Sequence, residues 1–257
     1  MSIFRRMLVF CFSLYAMLVF LAWLLILFPF ALLSSLLGNR AGGNWMYTIV
    51  TFWADAAMLC WGMRQHNIYK TPVDRQQPVV FVFNHISYLD IPVLLKAFRH
   101  QPIRILGKAE MAKIPVFGYI YRKAVILVQR DSPENRARSL QRLRRAIQQN
   151  YSVVIAPEGT FNLTGKPLKS FYDGAFRIAI ETQTPIRPVL FLDNYDRLNP
   201  ASVFSFTPGK CRTVFLPLVE VNSYTLDQVN ELKEKVYQCM EKALIEYRAS
   251  WIQAQHD

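Results

Sequence analysis

Two short stretches carry the residue types of acid–base chemistry. Asn84-His85-Ile86-Ser87-Tyr88-Leu89-Asp90 places an imidazole five residues before a carboxylate, directly after the apolar run Pro78–Phe83. A loop of that length can fold the carboxylate onto one ring nitrogen, which fixes the tautomer and leaves the other nitrogen free as a general base. A His that caps a helix beside a solvated Asp gives the same pattern, and a pair at this spacing is common in isolation. Ala156-Pro157-Glu158-Gly159-Thr160 ends a second apolar run. Backbone amides near Gly159 and the Thr160 hydroxyl suit an anionic group, although an ordinary turn reads the same way. Lys108 is followed by Glu110, Pro115, Gly118 and then Arg130. Basic residues near strand ends suit a phosphate-bearing substrate; each alone reads equally as a surface charge.

The elements that must position these residues are legible in the apolar pattern. Pro78–Phe83, Ile103–Leu106, Ala124–Val128, Tyr151–Ala156, Ile186–Leu192 and Arg212–Val219 read as buried strands. Between them lie helical patterns. Ser132-Pro133-Glu134 is a helix start, with Ala137, Leu140, Leu143 and Ile147 at helical spacing and Arg138, Arg142 and Arg145 opposite. Thr225-Leu226-Asp227 opens a final helix with Val229, Leu232, Val236, Met240 and Leu244 on one face. Strands alternating with helices predict an α/β domain, a mostly parallel sheet flanked by helices. In such a sheet ligands sit beyond the carboxyl ends of the strands, where both motifs fall. Residues 71–257 show no repeat and no long linker, so they read as one catalytic domain preceded by an N-terminal segment, residues 1–70.

That segment is a helical membrane anchor by composition. No charged residue occurs from Met7 to Asn39, and Met7–Phe28 as a helix is about 33 Å long, matching a hydrocarbon core of about 30 Å. Pro29 is expected to end or kink it. The run is too long for the apolar core of a signal peptide. A second stretch, Asn44–Met63, carries Trp45, Tyr47, Trp53, Trp61 and one acid, Asp55. It reads as a second span, a re-entrant segment or an interfacial helix. Arg5 and Arg6 put the start of the chain, and with a hairpin the domain, on the cytoplasmic face.

The 257 residues hold 30 basic and 18 acidic side chains, a formal charge of +12, yet 52% are hydrophobic. The apolar content argues against disorder, and the charge suits an anionic surface. Residues 99–145 alone contain twelve basic and three acidic residues. Few aromatics interleave with the arginines of 136–145, which weakens a nucleic-acid platform; next to an anchor, anionic lipid headgroups are the better partner. Cys11, Cys60, Cys211 and Cys239 lack metal-ligand spacing, no G-x-S-x-G elbow occurs, and His66, His100 and His256 pair with nothing evident. Asn162-Leu163-Thr164 matches a glycosylation acceptor but falls in the expected active-site loop and is read as chance.

Taken in order, a strand followed by N-H-x4-D, then Lys108-x-Glu110, Pro115-x-x-Gly118 and Arg130, then a strand followed by P-E-G-T, then Thr184-Pro185-Ile186-Arg187-Pro188, resembles the glycerolipid acyltransferase superfamily. Its type member is 1-acyl-sn-glycerol-3-phosphate acyltransferase, and the likeness covers about residues 75–195. The resemblance implies that His85, oriented by Asp90, deprotonates an acceptor hydroxyl that attacks the thioester of acyl-CoA or acyl-carrier protein, with no acyl-enzyme, metal or cofactor. It implies that Glu158, Gly159 and Thr160 line the acceptor site, and that Lys108 and Arg130 hold a phosphate or developing charge. The product would be phosphatidic acid. One departure stands out: the family continues its motif as E-G-T-R, and here that position is Phe161. A phenyl ring cannot grip a phosphate, so Lys166, Lys169 or Arg130 takes over, or the acceptor has no phosphate there, as in a lyso-amino-acid lipid such as lyso-ornithine lipid. A non-catalytic lipid-binding protein and a lipid hydrolase are the other readings.

Overall fold

The strands β2 (Val80–Phe83), β5 (Ser152–Ile155) and β6 (Ile186–Phe191) are buried at every residue, on both faces. This is why β2 reads as an unbroken apolar run and β5 and β6 as apolar runs with one buried polar residue each, Ser152 and Arg187, rather than as alternating ones. The computed structural model describes residues 3–72, 74, 76–129 and 132–252. With β1 (Met63–Tyr69), β3 (Ile103–Lys108), β4 (Val125–Val128) and β7 (Gly209–Phe215), these strands form one sheet in the order β1-β7-β6-β2-β5-β3-β4. Neighbours are parallel except β6 with β7. The fold is therefore the α/β, mostly parallel architecture that the pattern predicts.

Two strands differ from expectation. β7 runs from Gly209 to Phe215 rather than from Arg212 to Val219. Pro217 has no N–H to give the ladder, and Val219 makes only an isolated bridge to Ile186. β1 lies before Thr71, in the segment read as anchor, and pairs along its whole length with β7. Its sequence, MRQHNIY, is that of a sheet edge, with a mixture of buried and exposed positions.

The helices follow the crossovers. α3 (Asp90–Ala97) and α4 (Phe117–Ala124) join β2 to β3 and β3 to β4, and α5 (Pro133–Gln148) and α6 (Gly174–Thr182) return the chain through β5 to β6. With right-handed connections, the outward and return helices lie on opposite faces. α6 packs against both α5 and α8 (Val229–Glu246). α8 buries Val229, Leu232, Val236, Met240 and Leu244 as its spacing predicts, behind a capping box made by Thr225 and Gln228. The Ser132 hydroxyl caps α5 by accepting from the Asn135 N–H at 3.2 Å. On α5, Leu143 and Ile147 are buried and Leu140 partly so, but Ala137 is exposed; Ser139 and Ala146 complete the inner face.

The other face of the sheet carries a helical hairpin. α1 (Ile3–Leu33) continues through Pro29 rather than ending there. α2 (Gly38–Cys60) returns antiparallel to it: the Trp45 indole N–H donates to Phe30 O and the Trp61 N–H to Ala16 O, each at 3.0 Å. α2 lies between α1 and the pair α3 and α4, burying Met46, Ala54, Ala57 and Met58 completely. One face of α2 is therefore in the core, while Trp45, Phe52 and Leu59 are exposed. α1 is the one described helix long and apolar enough to cross a membrane. The domain holds it along its length, through Ser13 Oγ accepting from the Phe206 N–H at 3.0 Å and an edge-on contact of Phe28 with Tyr119. Its outer face, from Ile3 and Phe4 through Leu18 and Leu25 to Phe30, is exposed apolar surface. The exposed arginines of α5 lie on the far face of the sheet, away from this surface.

Candidate active site

The loop after β2 holds His85 and Asp90 as their spacing predicts. His85 Nδ1 lies 2.8 Å from Asp90 Oδ2. The same oxygen accepts the backbone N–H groups of Ile86 at 2.8 Å and Ser87 at 3.0 Å. Asp90 is the first residue of α3 and fully buried, and its carboxylate meets two amides of the preceding loop as well as the imidazole. The His85 side chain keeps 20% of its surface accessible. With Nδ1 engaged, Nε2 is the nitrogen left for chemistry.

His85 lines a 470 Å³ apolar cavity between the hairpin and the sheet. Trp23 and Leu27 of α1, Val50 and Trp53 of α2, Ile105 of β3 and Ile120 of α4 supply its walls. Its size suits a small-molecule pocket, typically about 300–1,000 Å³. The apolar residues of α1 thus do two things: one face is exposed and the other walls the cavity.

Lys108, at the carboxyl end of β3, borders this cavity, and so do Gly159 and Thr160. Gly159 has φ +72°, a conformation that favours glycine, and turns the chain after β5. Gly118 is required for a different reason: a Cβ there would stand 2.3 Å from Ala112 O. Arg130 lies outside the described residues, as does His256.

Glu158 departs from its expected place. It is buried, and both oxygens are taken by backbone amides, His85 N at 3.0 Å and Lys169 N at 2.9 Å. It ties the His85 loop to the segment after the P-E-G-T turn rather than facing the cavity. Burial pushes its carboxyl from the ordinary 4.5 up to about 7, against the pull of those two N–H groups and the Lys169 charge. A carboxyl raised by folding adds stability that is complete below 4.5 and is lost as pH rises through about 7. Glu158→Gln should therefore flatten the fall in thermal midpoint between these pH values relative to the wild type. A variant whose midpoint keeps the wild-type slope would remove Glu158 from this pH dependence.

Phe161 packs against the base itself. Its ring centroid is 4.3 Å from that of His85 and 4.7 Å from that of Tyr88. Of the cations that could replace the family's arginine, Lys169 reaches the site, its Nζ donating to the Thr160 hydroxyl; Lys166 is exposed. Asn162 is a loop staple. It is buried and its amide holds the carbonyls of Lys166 and Pro167 and the N–H of Thr164.

Two asparagines complete the surroundings. Asn84 and the Phe191 backbone exchange hydrogen bonds, at 3.0 Å to Phe191 O and 2.8 Å from Phe191 N. Asn194, in the short helix α7 (Asn194–Arg197) that follows β6, donates from Nδ2 to Asp90 Oδ1 at 2.8 Å. Asn194 carried no signal in the sequence. It lies 104 residues from Asp90, and a lone Asn after a strand reads as a turn residue.

The family model described as Acyltransferase matches residues 64–192. The chain is 28% identical over 204 residues to a 1-acyl-sn-glycerol-3-phosphate acyltransferase of Haemophilus influenzae, covering 77% of this chain and 81% of that one. It is 34% identical over 115 residues to a lyso-ornithine lipid O-acyltransferase of Pseudomonas aeruginosa, covering 44% and 43% of the two chains. The crystal structure of the 1-acyl-sn-glycerophosphate acyltransferase PlsC from Thermotoga maritima superposes with a TM-score of 0.71 at 22% identity, over 98% of this chain and 100% of that chain.

Proposed function

The chain belongs to the acyltransferase family, and from that membership we propose that it transfers a fatty acyl chain from acyl-CoA or acyl-carrier protein to the free hydroxyl of 1-acyl-glycerol-3-phosphate, giving phosphatidic acid. The observation that carries this reading is the His85–Asp90 pair, with His85 lining an apolar cavity. His85 Nε2 takes the acceptor's hydroxyl proton as the oxygen attacks the thioester carbonyl. The tetrahedral adduct collapses with cleavage of the C–S bond, and the proton passes from His85 to the departing sulfur. The acyl chain occupies the cavity. Lys108 and Thr160 face the reacting end, with Lys169 behind Thr160 as the cation for the acceptor phosphate.

The outer face of α1 rests in the lipid from which the acceptor comes, with the domain on the cytoplasmic face. Because α1 is held along its length by the domain, the cavity between hairpin and sheet stays beside the membrane. No metal or cofactor takes part.

A second reading is favoured by one contact, that of Phe161 with His85. An acceptor whose hydroxyl sits on an amide-linked fatty chain, such as lyso-ornithine lipid, would set alkyl groups rather than a phosphate against this ring. The test is acyl transfer by membranes containing the protein, from a labelled thioester, with lysophosphatidate and lyso-ornithine lipid supplied separately and His85→Ala as control. Label in phosphatidic acid that vanishes in the variant supports the first reading. Label confined to the amino-acid lipid selects the second, and transfer to neither acceptor rejects both.

A further inference from the structure

The buried amide of Asn194 has one group bonded and one not. Nδ2 donates to Asp90 Oδ1 at 2.8 Å, while Asn194 Oδ1 has no partner among the described residues although the residue is fully buried. A flipped amide would set oxygen against carboxylate oxygen, so the orientation is fixed by Asp90. An unpaired buried carbonyl is a cost, and what it accompanies is the only side-chain hydrogen bond to that oxygen among the described residues. The other carboxylate oxygen is occupied by His85 Nδ1 and the two loop amides.

The placement of Asn194 is itself over-determined. Asp193 accepts the Arg212 N–H at 2.7 Å and the Arg212 guanidinium at 2.7 Å, fixing the turn to β7. Asn84, one residue before His85, clasps the end of β6 three residues before Asn194. The turn after β6 is thus pinned from both sides with its amide aimed at the catalytic pair.

We propose that Asn194 is a positioning residue for acyl transfer. Its N–H holds the Asp90 carboxylate in the rotamer that meets His85 Nδ1, and so aims Nε2 into the cavity. The inference rests on the reading of His85 as the base. The other ionisable groups that act on Asp90 are Glu158 on the β5 loop and Cys211 on β7; Asp193 and Arg197 on the turn and Lys96 on α3 face Cys211 in turn, and Asp193 and Asp196 face Arg212.

The experiment compares Asn194→Ala and Asn194→Asp with the full-length wild type, following kcat and KM against pH on whichever acceptor is turned over. Loss of one hydrogen bond to a charged group lowers kcat by about 10- to 100-fold in Asn194→Ala, with KM little changed. Asn194→Asp carries the sharper signature. Two carboxyls at this separation share one proton at low pH, and the protonated Asp donates as the amide did. Its activity relative to wild type should therefore approach parity at acid pH and fall as pH rises and the proton is lost.

If Asn194→Ala does not fold, the Asp variant decides alone. Asn194→Ala within twofold of wild type, Asn194→Asp with a pH profile parallel to wild type, or a folded Asn194→Asp inactive at every pH each overturns the proposal. Activity retained by His85→Ala would instead reject the underlying mechanism, so the two failures are distinguishable.

Discussion

Replacing His85 by Ala is expected to lower acyl transfer by about two to four orders of magnitude, the contribution of a positioned general base. The site offers no evident substitute. Glu158, the other buried acid beside the loop, has both its oxygens already accepting backbone N–H groups. Asp90 is buried behind the imidazole. The cavity is built by the hairpin and sheet, so the variant should still bind acyl donor with an affinity close to wild type. Steady-state kinetics with binding of a labelled thioester measure both quantities. A variant with near-wild-type turnover would sink the mechanism. Turnover absent in wild type and variant alike, with binding intact, would point to a lipid-binding protein. Free fatty acid released without acceptor would point to a hydrolase.

Asp90→Asn should cost a comparable factor, about 10²- to 10⁴-fold in kcat, through orientation and charge rather than through loss of the base. The asparagine carbonyl can take the place of Oδ2, facing His85 Nδ1 and the amides of Ile86 and Ser87. Its NH2 then stands where Oδ1 accepted from Asn194, donor against donor. The alternative rotamer puts the NH2 against three donors. Neither stabilises the imidazolium that forms as the acceptor proton moves. KM should change little, because Asp90 is buried and does not border the cavity. A kcat within tenfold of wild type would mean that the loop backbone orients His85 without the carboxylate.

The His85–Asp90 pair was legible because its partners are close in sequence. Five residues of loop are enough to let the groups meet, and the strand before was readable from a buried apolar run. Glu158 was legible as part of a motif but not in its role. A carboxylate next to Gly159 and Thr160 reads as a ligand group. Only the approach of the His85 and Lys169 amides, 73 and 11 residues away, makes it a clamp. β1 was illegible for a different reason. An edge strand with polar and half-exposed positions has no apolar signature, and its partner β7 lies more than a hundred residues downstream.

The hairpin divides the two kinds of information most clearly. The amino-acid sequence by itself determined that residues 7–39 are free of charge and that residues 44–63 are aromatic-rich, because hydropathy is a property of composition. It also determined the α/β alternation and the chemical types at the site. Tertiary structure decided that one face of α2 is buried, that α1 walls a cavity on one side and is exposed on the other, and that the basic face of α5 points away from both. It decided too that Asn194 meets Asp90. Burial and long-range contact depend on which elements share a face of the sheet, and the handedness and order of the crossovers set that, not the local pattern of any one segment.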